Sequence, residues 1–126
     1  LKENLKTLKN ALELTSEVKV NVIADQFDLP ISSPIEKELF KVIQELLSNT
    51  LKHAKATEIN IQLSQFDDEI QLIFEDNGIG FNVNKIKRGL GLDSIKKRIV
   101  KLHGTLTIDS HERSGTTFIF EIPVKS

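Results

Sequence analysis

Cysteine is absent from this 126-residue chain, which excludes disulfides and thiolate metal sites and suits a reducing compartment. Basic charge is not in surplus either. With 17 Lys and Arg against 18 Asp and Glu, the formal net charge is -1, and the positive field that nucleic-acid binding requires is missing. Long apolar runs are lacking, so the chain holds neither a membrane-spanning helix nor a signal peptide, and no direct membrane contact is expected of it. Methionine is lacking as well, and the chain begins at Leu1. We therefore expect the initiation codon elsewhere, and any membrane anchor or sensor in the remainder of a longer protein. A mass of 14.2 kDa suffices for one domain with a real core and not for two. No internal repeat, low-complexity tract or interior linker interrupts it.

Hydrophobic spacing orders what is present. Leu1, Leu5, Leu8 and Leu12 recur at helical intervals and predict an amphipathic helix over residues 1–16, which reads as the tail of a longer helix. Residues 17–126 form the domain proper. Val18, Val20 and Val22 alternate with polar residues and predict a strand closed by Asp28-Leu29-Pro30. Ser33-Pro34-Ile35-Glu36 supplies an N-cap, a proline at the first helical position and an early acid, opening a helix that runs to about Ala54. Ile59, Ile61 and Leu63 mirror Ile70, Leu72 and Phe74 across Asp67-Asp68, the pattern of an antiparallel hairpin. Residues 79–91 break all periodicity, hold three of the six glycines and predict a mobile loop. Leu92, Ile95, Ile99 and Leu102 restore a helix that Gly104 is expected to stop, and strands follow at 106–108 and 117–122. Helices interleaved with mostly antiparallel strands predict an α+β fold, a two-layer sandwich with helices on one face of a mixed sheet.

Chemistry concentrates on the long helix and on the glycines. At 100° per residue Ile43, Leu46, Thr50 and Ala54 share a stripe facing the sheet, while Glu38, Glu45, Asn49 and Lys52 occupy an adjoining arc of about 60°. An amide oxygen one turn from a carboxylate suits Mg²⁺, which takes a few hard oxygen ligands together with water and phosphate. Asn49 is thus a candidate metal ligand, with Glu45 as a second metal contact or as a base. The same spacing also describes a solvated i,i+4 polar pair. Gly89-Leu90-Gly91-Leu92 directly precedes a helix, where free N–H groups favour an anion, and Lys85, Lys87 and Arg88 add positive charge beside it. Asp76-Asn77-Gly78-Ile79-Gly80-Phe81 follows the apolar run 70–74, so that one acid sits at a strand end beside bare backbone; a plain turn has the same signature. No Gly-x-x-x-x-Gly-Lys-Ser/Thr sequence or Rossmann fingerprint competes for a nucleotide.

Four segments, Glu45-Leu-Leu-Ser-Asn49-Thr-Leu-Lys52-His53-Ala54, Asp76 to Phe81, Gly89 to Leu92 and Ser114-Gly115-Thr116-Thr117, stand in the order and at the intervals of a known family. They resemble the N, G1 and G2 boxes and the terminal Gly-Thr segment of the ATP-binding domain of sensor histidine kinases, a Bergerat-type fold of the GHKL superfamily. The wording Gln44 to Ala54 is similar to the subclass that signals to helix-turn-helix response regulators. The resemblance implies that Asn49 holds magnesium against the triphosphate, that Glu45 helps activate the attacking histidine and that Lys52 reaches a phosphate. His53 then belongs to the nucleotide site and is not the phosphoacceptor. Asp76 would accept a hydrogen bond from the adenine amine, since a carboxylate cannot donate to guanine's carbonyl. Gly78 and Gly80 would admit the ring, Ile79 and Phe81 would cover it, and Thr117, beside Thr116, would lie on the floor of the site through a water.

The activity so implied is transfer of the γ-phosphoryl group of Mg-ATP to a histidine on a separate dimerisation domain, in a cytoplasmic module that serves a response regulator. A fragment without that domain would bind nucleotide and lack autokinase activity. Two other readings remain. One is a serine kinase that binds and sequesters a sigma factor; the other is a catalytically silent nucleotide sensor.

Overall fold

The computed structural model describes residues 2–15, 17–26, 33–51, 56–66, 68–78, 92–110 and 115–123. Three helices and five strands follow one another as α1 (Lys2–Thr15), β1 (Lys19–Gln26), α2 (Ser33–Asn49), β2 (Glu58–Phe66), β3 (Glu69–Asp76), α3 (Leu92–Lys101), β4 (Thr105–Ser110) and β5 (Thr116–Pro123). The strands make one sheet in the order β1-β2-β3-β5-β4. Only β1 and β2 run parallel; the remaining pairs are antiparallel. The α+β sandwich expected from the spacing is therefore the fold observed.

Alternation along the strands decides which side the helices cover. Ile59, Ile61 and Leu63 of β2, Ile70, Leu72 and Phe74 of β3, and Phe118, Phe120 and Ile122 of β5 are all buried, and register places them opposite one another on a single face. Onto this face α2 lays Leu39, Val42, Ile43, Leu46 and Leu47, and α3 adds Ile95 and Ile99. Ile43, Leu46 and Thr50 are buried as the helical stripe required; Ala54 lies outside the described residues. Past Asn49 the helix widens into a π turn at Thr50 and Leu51.

Helix α1 is part of this core. Leu5 is only 1% exposed and joins the buried cluster, with Leu8 and Leu12 packed against it. The helix also answers one amide of the sheet's β1 edge, where Val20 N donates to Glu13 Oε2 at 3.2 Å.

The end of α3 differs from expectation in its mechanism. His103, not Gly104, takes the left-handed conformation, with φ 57°, and its amide donates to Val100 O while that of Gly104 donates to Ile99 O at 2.9 Å. Those two bonds close the helix. Glycine is required at 104 for a steric reason instead, since a Cβ there would stand 2.9 Å from the carbonyl oxygen of Glu121.

If α1 belongs to the domain, Leu5→Ala should lower its unfolding free energy by about 2–5 kcal/mol, the usual cost of a cavity in a packed core. Leu14→Ala, on the same helix but 87% exposed, should change it by less than about 0.5 kcal/mol. Urea denaturation of both variants measures the contrast, and equal small effects would remove α1 from the folding unit.

Candidate nucleotide site

One end of the covered sheet face turns polar. Across it, in register, run Ile59 of β2, Asp76 of β3, Thr116 of β5 and Ser110 of β4. The three polar members are all buried, Asp76 to 4% exposure. Asp76 Oδ1 accepts the amide of Gly78 at 2.8 Å, an Asx-type turn that bends the chain away from the strand and leaves Oδ2 for a further donor. Ser110 Oγ and Thr116 Oγ1 share a hydrogen bond of 2.7 Å. Asn77 pins the outer side of the bend: its Oδ1 accepts the amides of Thr57 and Glu58, its Nδ2 donates to Thr57 Oγ1, and its own amide donates to Glu58 O.

Gly115 fits closely against this bend. It has φ 83°, and a Cβ on it would stand 2.2 Å from the carbonyl oxygen of Asp76, so no side chain can replace its hydrogen without moving β5 away from β3. Burial pushes the Asp76 carboxyl above its ordinary range, opposed by the bond from Gly78 and assisted by the neighbouring charge of Glu75. A buried carboxylate with one oxygen uncommitted, next to a hydroxyl and a glycine-lined turn, fits an amine donor such as the exocyclic amino group of adenine.

A second cluster links α2 to α3. Arg98 donates from Nη1 to Glu38 Oε2 at 2.9 Å and from Nε to Glu45 Oε1 at 3.1 Å, and Ser94 Oγ donates to that same Glu45 oxygen at 3.0 Å. The bond from Arg98 holds the Glu38 carboxyl below the usual range. Leu92 heads the helix that makes these contacts, two residues ahead of Ser94.

Of the residues singled out in the sequence, the structure thus groups Asp76, Gly78 and Thr116 at the sheet end and places Glu45 against the first turns of α3. Asn49 is half-buried at the last α-helical position of α2 and has a partner of its own. Thr117 does not join the site. Strand alternation turns it to the opposite face, where its hydroxyl lies 3.4 Å from Glu75, and Thr116 stands beside Asp76 in its place. Lys52, His53, Gly80, Phe81, Arg88, Gly89, Leu90 and Gly91 lie outside the described residues, as do Ile79, Lys85 and Lys87. Sequence reasoning passed over Ser94, Arg98 and Ser110. Ser94 and Arg98 carried one available signal, an i,i+4 polar pair flanking the apolar stripe of Ile95 and Ile99. Ser110 carried none before its register with Thr116 was known.

The raised Asp76 value has a consequence for stability with a definite sign. Its favourable contribution is complete below the ordinary 3.8 and is lost as pH rises through the higher folded value. Asp76→Asn does not titrate and can still accept the Gly78 amide. Without nucleotide the variant should therefore gain stability over the wild type progressively as pH rises above 3.8. Thermal unfolding at several pH values tests this; a variant less stable at pH 7 than at pH 3, relative to wild type, would reverse the argument.

Comparison with known proteins agrees with this architecture. The chain is 34% identical over 125 residues to the sensor protein VraS of Staphylococcus aureus, covering 98% of itself and 35% of that relative, and the VraS of Staphylococcus haemolyticus gives the same figures. It spans about a third of the length of these curated relatives. Among solved structures, the blue-light activated histidine kinase of Erythrobacter litoralis EL346 superposes with a TM-score of 0.81 at 21% identity, over 95% of this chain and 40% of that one. The catalytic domain of histidine kinase ThkA superposes with a TM-score of 0.78 at 19% identity, over 97% of this chain and 88% of that one. The profile of the histidine kinase-, DNA gyrase B- and HSP90-like ATPases matches residues 35–126, from the first turn of α2 to the end, and the chain belongs to that family.

Proposed function

We propose that the chain binds Mg-ATP and donates its γ-phosphoryl group to a histidine on a separate dimerisation domain, as the catalytic part of a two-component sensor kinase. The observation that carries this reading is the buried Asp76 carboxylate, bent back by Gly78 and flanked by Thr116, in a chain of an ATPase family whose curated relatives include sensor proteins.

Asp76 accepts from the adenine amine through Oδ2, and burial makes that choice selective, since a guanine carbonyl there would leave the carboxylate facing an acceptor. Through its amide oxygen Asn49 would hold Mg²⁺, a cation that takes few protein ligands and otherwise phosphate and water. Bound Mg-ATP supplies the transferable phosphoryl group and neutralises charge on it. Glu45 orients the acceptor histidine and takes its proton. By the resemblance, Lys52 and Arg88 would compensate phosphate charge, the amides of Gly89, Leu90 and Gly91 would receive an anion, and Phe81, Gly80 and His53 would belong to the nucleotide site. Catalysis is by position and charge, not by a covalent enzyme intermediate. Helix α1 continues the helix that enters from the dimerisation domain. The module works in the cytoplasm, and a response regulator takes the phosphoryl group onward.

With the dimerisation domain of its parent supplied in trans, the chain should transfer phosphate to give an acid-labile, base-stable product. Asn49→Ala should weaken Mg-dependent ATP binding at least about tenfold with little loss of fold, and Asp76→Asn should cost ATP far more affinity than GTP. Calorimetric titration and acid-base stability of the phosphoryl group are the measurements. An acid-stable phosphoserine on a sigma-regulating partner, or tight Mg-ATP binding with no transfer to any acceptor, would replace this function by one of the two rival readings.

A further inference from the structure

The Glu45 carboxylate is not presented bare. Its Oε1 receives two donors, Ser94 Oγ at 3.0 Å and Arg98 Nε at 3.1 Å, both from the helix that follows the glycine-bracketed segment 79–91. Arg98 spends its Nη1 on Glu38, two turns earlier on α2, at 2.9 Å. One guanidinium therefore bridges two carboxylates seven residues apart, and its planar, fixed fork sets the rotation of each. All three charged groups are half-buried, so water competes only in part.

From this geometry we infer that Arg98 and Ser94 are positioning residues for Glu45, and that Oε2 is the oxygen that works on the acceptor histidine. An oxygen already accepting two hydrogen bonds, one of them from a cation, is a poor proton acceptor and a poor metal ligand. Oε2 keeps both lone pairs. The bridge consequently divides the two polar residues of α2 by role: Asn49 is left as the ligand for Mg²⁺, and Glu45, with a guanidinium beside it, is withheld from the metal. The arrangement also ties α3 to the helix that carries Glu45.

This inference rests on Glu45 acting as the base, and the test separates the two. Arg98→Met, which retains much of the side chain's bulk, should slow single-turnover transfer to the acceptor domain at least about tenfold while changing the dissociation constant for Mg-ATP by less than about threefold. Arg98→Lys should recover only part of the rate, because an ammonium cannot grip both carboxylates in fixed planes. Glu38→Gln, which leaves the bond to Glu45 in place, should stay within about threefold of wild type. Combining Arg98→Met with Glu45→Gln should be no slower than Glu45→Gln alone, since both act through one carboxylate. Independently of activity, the Nε–H of Arg98 should give a nitrogen-15 resonance protected from exchange in the nucleotide-free chain and lost in Glu45→Ala, which removes the acceptor. Undiminished transfer by Arg98→Met, a parallel loss of Mg-ATP binding, or an additive double variant would overturn the positioning role. Undiminished transfer by Glu45→Gln would instead remove Glu45 as the base and leave the rest of the nucleotide site standing.

Discussion

The register of β3 between β2 and β5 is the constraint on which the site depends. Because side chains alternate, the pairing that puts Phe74 against Ile61 and Phe118 also puts Asp76 against Ile59 and Thr116, two residues further along the same face. A slip by one residue would turn Asp76 out to solvent and Glu75 into the core. The apolar rows forbid it: Ile70, Leu72 and Phe74 are fully buried, and the Phe74 and Phe118 rings meet edge to face at 6.4 Å. Core packing thereby fixes the address of a polar group that contributes nothing to the core. Gly115 enforces the same alignment from the other strand, since its lack of a Cβ is what lets β5 lie against the Asp76 carbonyl.

Burying that carboxylate opposes folding. Removing an acid from water without a matching cation costs free energy, which appears here as the raised Asp76 value, and the bond from Gly78 offsets only part of it. A chain selected for stability alone would carry an amide or an apolar residue at this position. The cost is intelligible if the missing donor comes from a ligand, because the desolvation is then already spent when the ligand arrives and the hydrogen bond forms without displacing bulk water. The same logic distinguishes Asp76 from Glu45. Glu45 has its counter-charge built in, through Arg98, and is half-exposed. One carboxylate is buried with one oxygen unpaired; the other carries two donors on one oxygen and leaves the second open.

Much of this was legible in the sequence, and the reasons differ by element. Period-2 alternation in residues 59–63 and 70–74, bounded by Asp67-Asp68, left little freedom for the hairpin, and the stripe of Ile43, Leu46 and Thr50 predicted the buried face of α2 because helical geometry is local. Asp76 was legible from its position at a strand end beside glycine. Which of Thr116 and Thr117 shares the face of Asp76 was not legible, because the face of a strand residue depends on tertiary register and two adjacent threonines offer no local signal to choose between them. His103 escaped because positive φ is a property of the Schellman closure, which a histidine can enter when the hydrogen bonds to Ile99 and Val100 repay it; Gly104 drew attention for a conformation it does not adopt. The partners of Arg98 were not legible for a third reason. They lie 53 and 60 residues away on another helix, a distance no periodicity spans.

The parallel strand β1 and helix α1 extend this argument to the boundary of the domain. An edge strand paired only to β2 would expose a row of amides, and Glu13 answers one of them while Leu5, Leu8 and Leu12 pack on the core. A helix placed in this way is mechanically continuous with the sheet. Displacing α1 would uncover both apolar surface and the β1 edge, so its movement is coupled to the integrity of the strand beside it, and through β2 to the strand that ends at Asp76. The two ends of that path are α1 and the buried Asp76 carboxylate, related through the paired strands β1, β2 and β3.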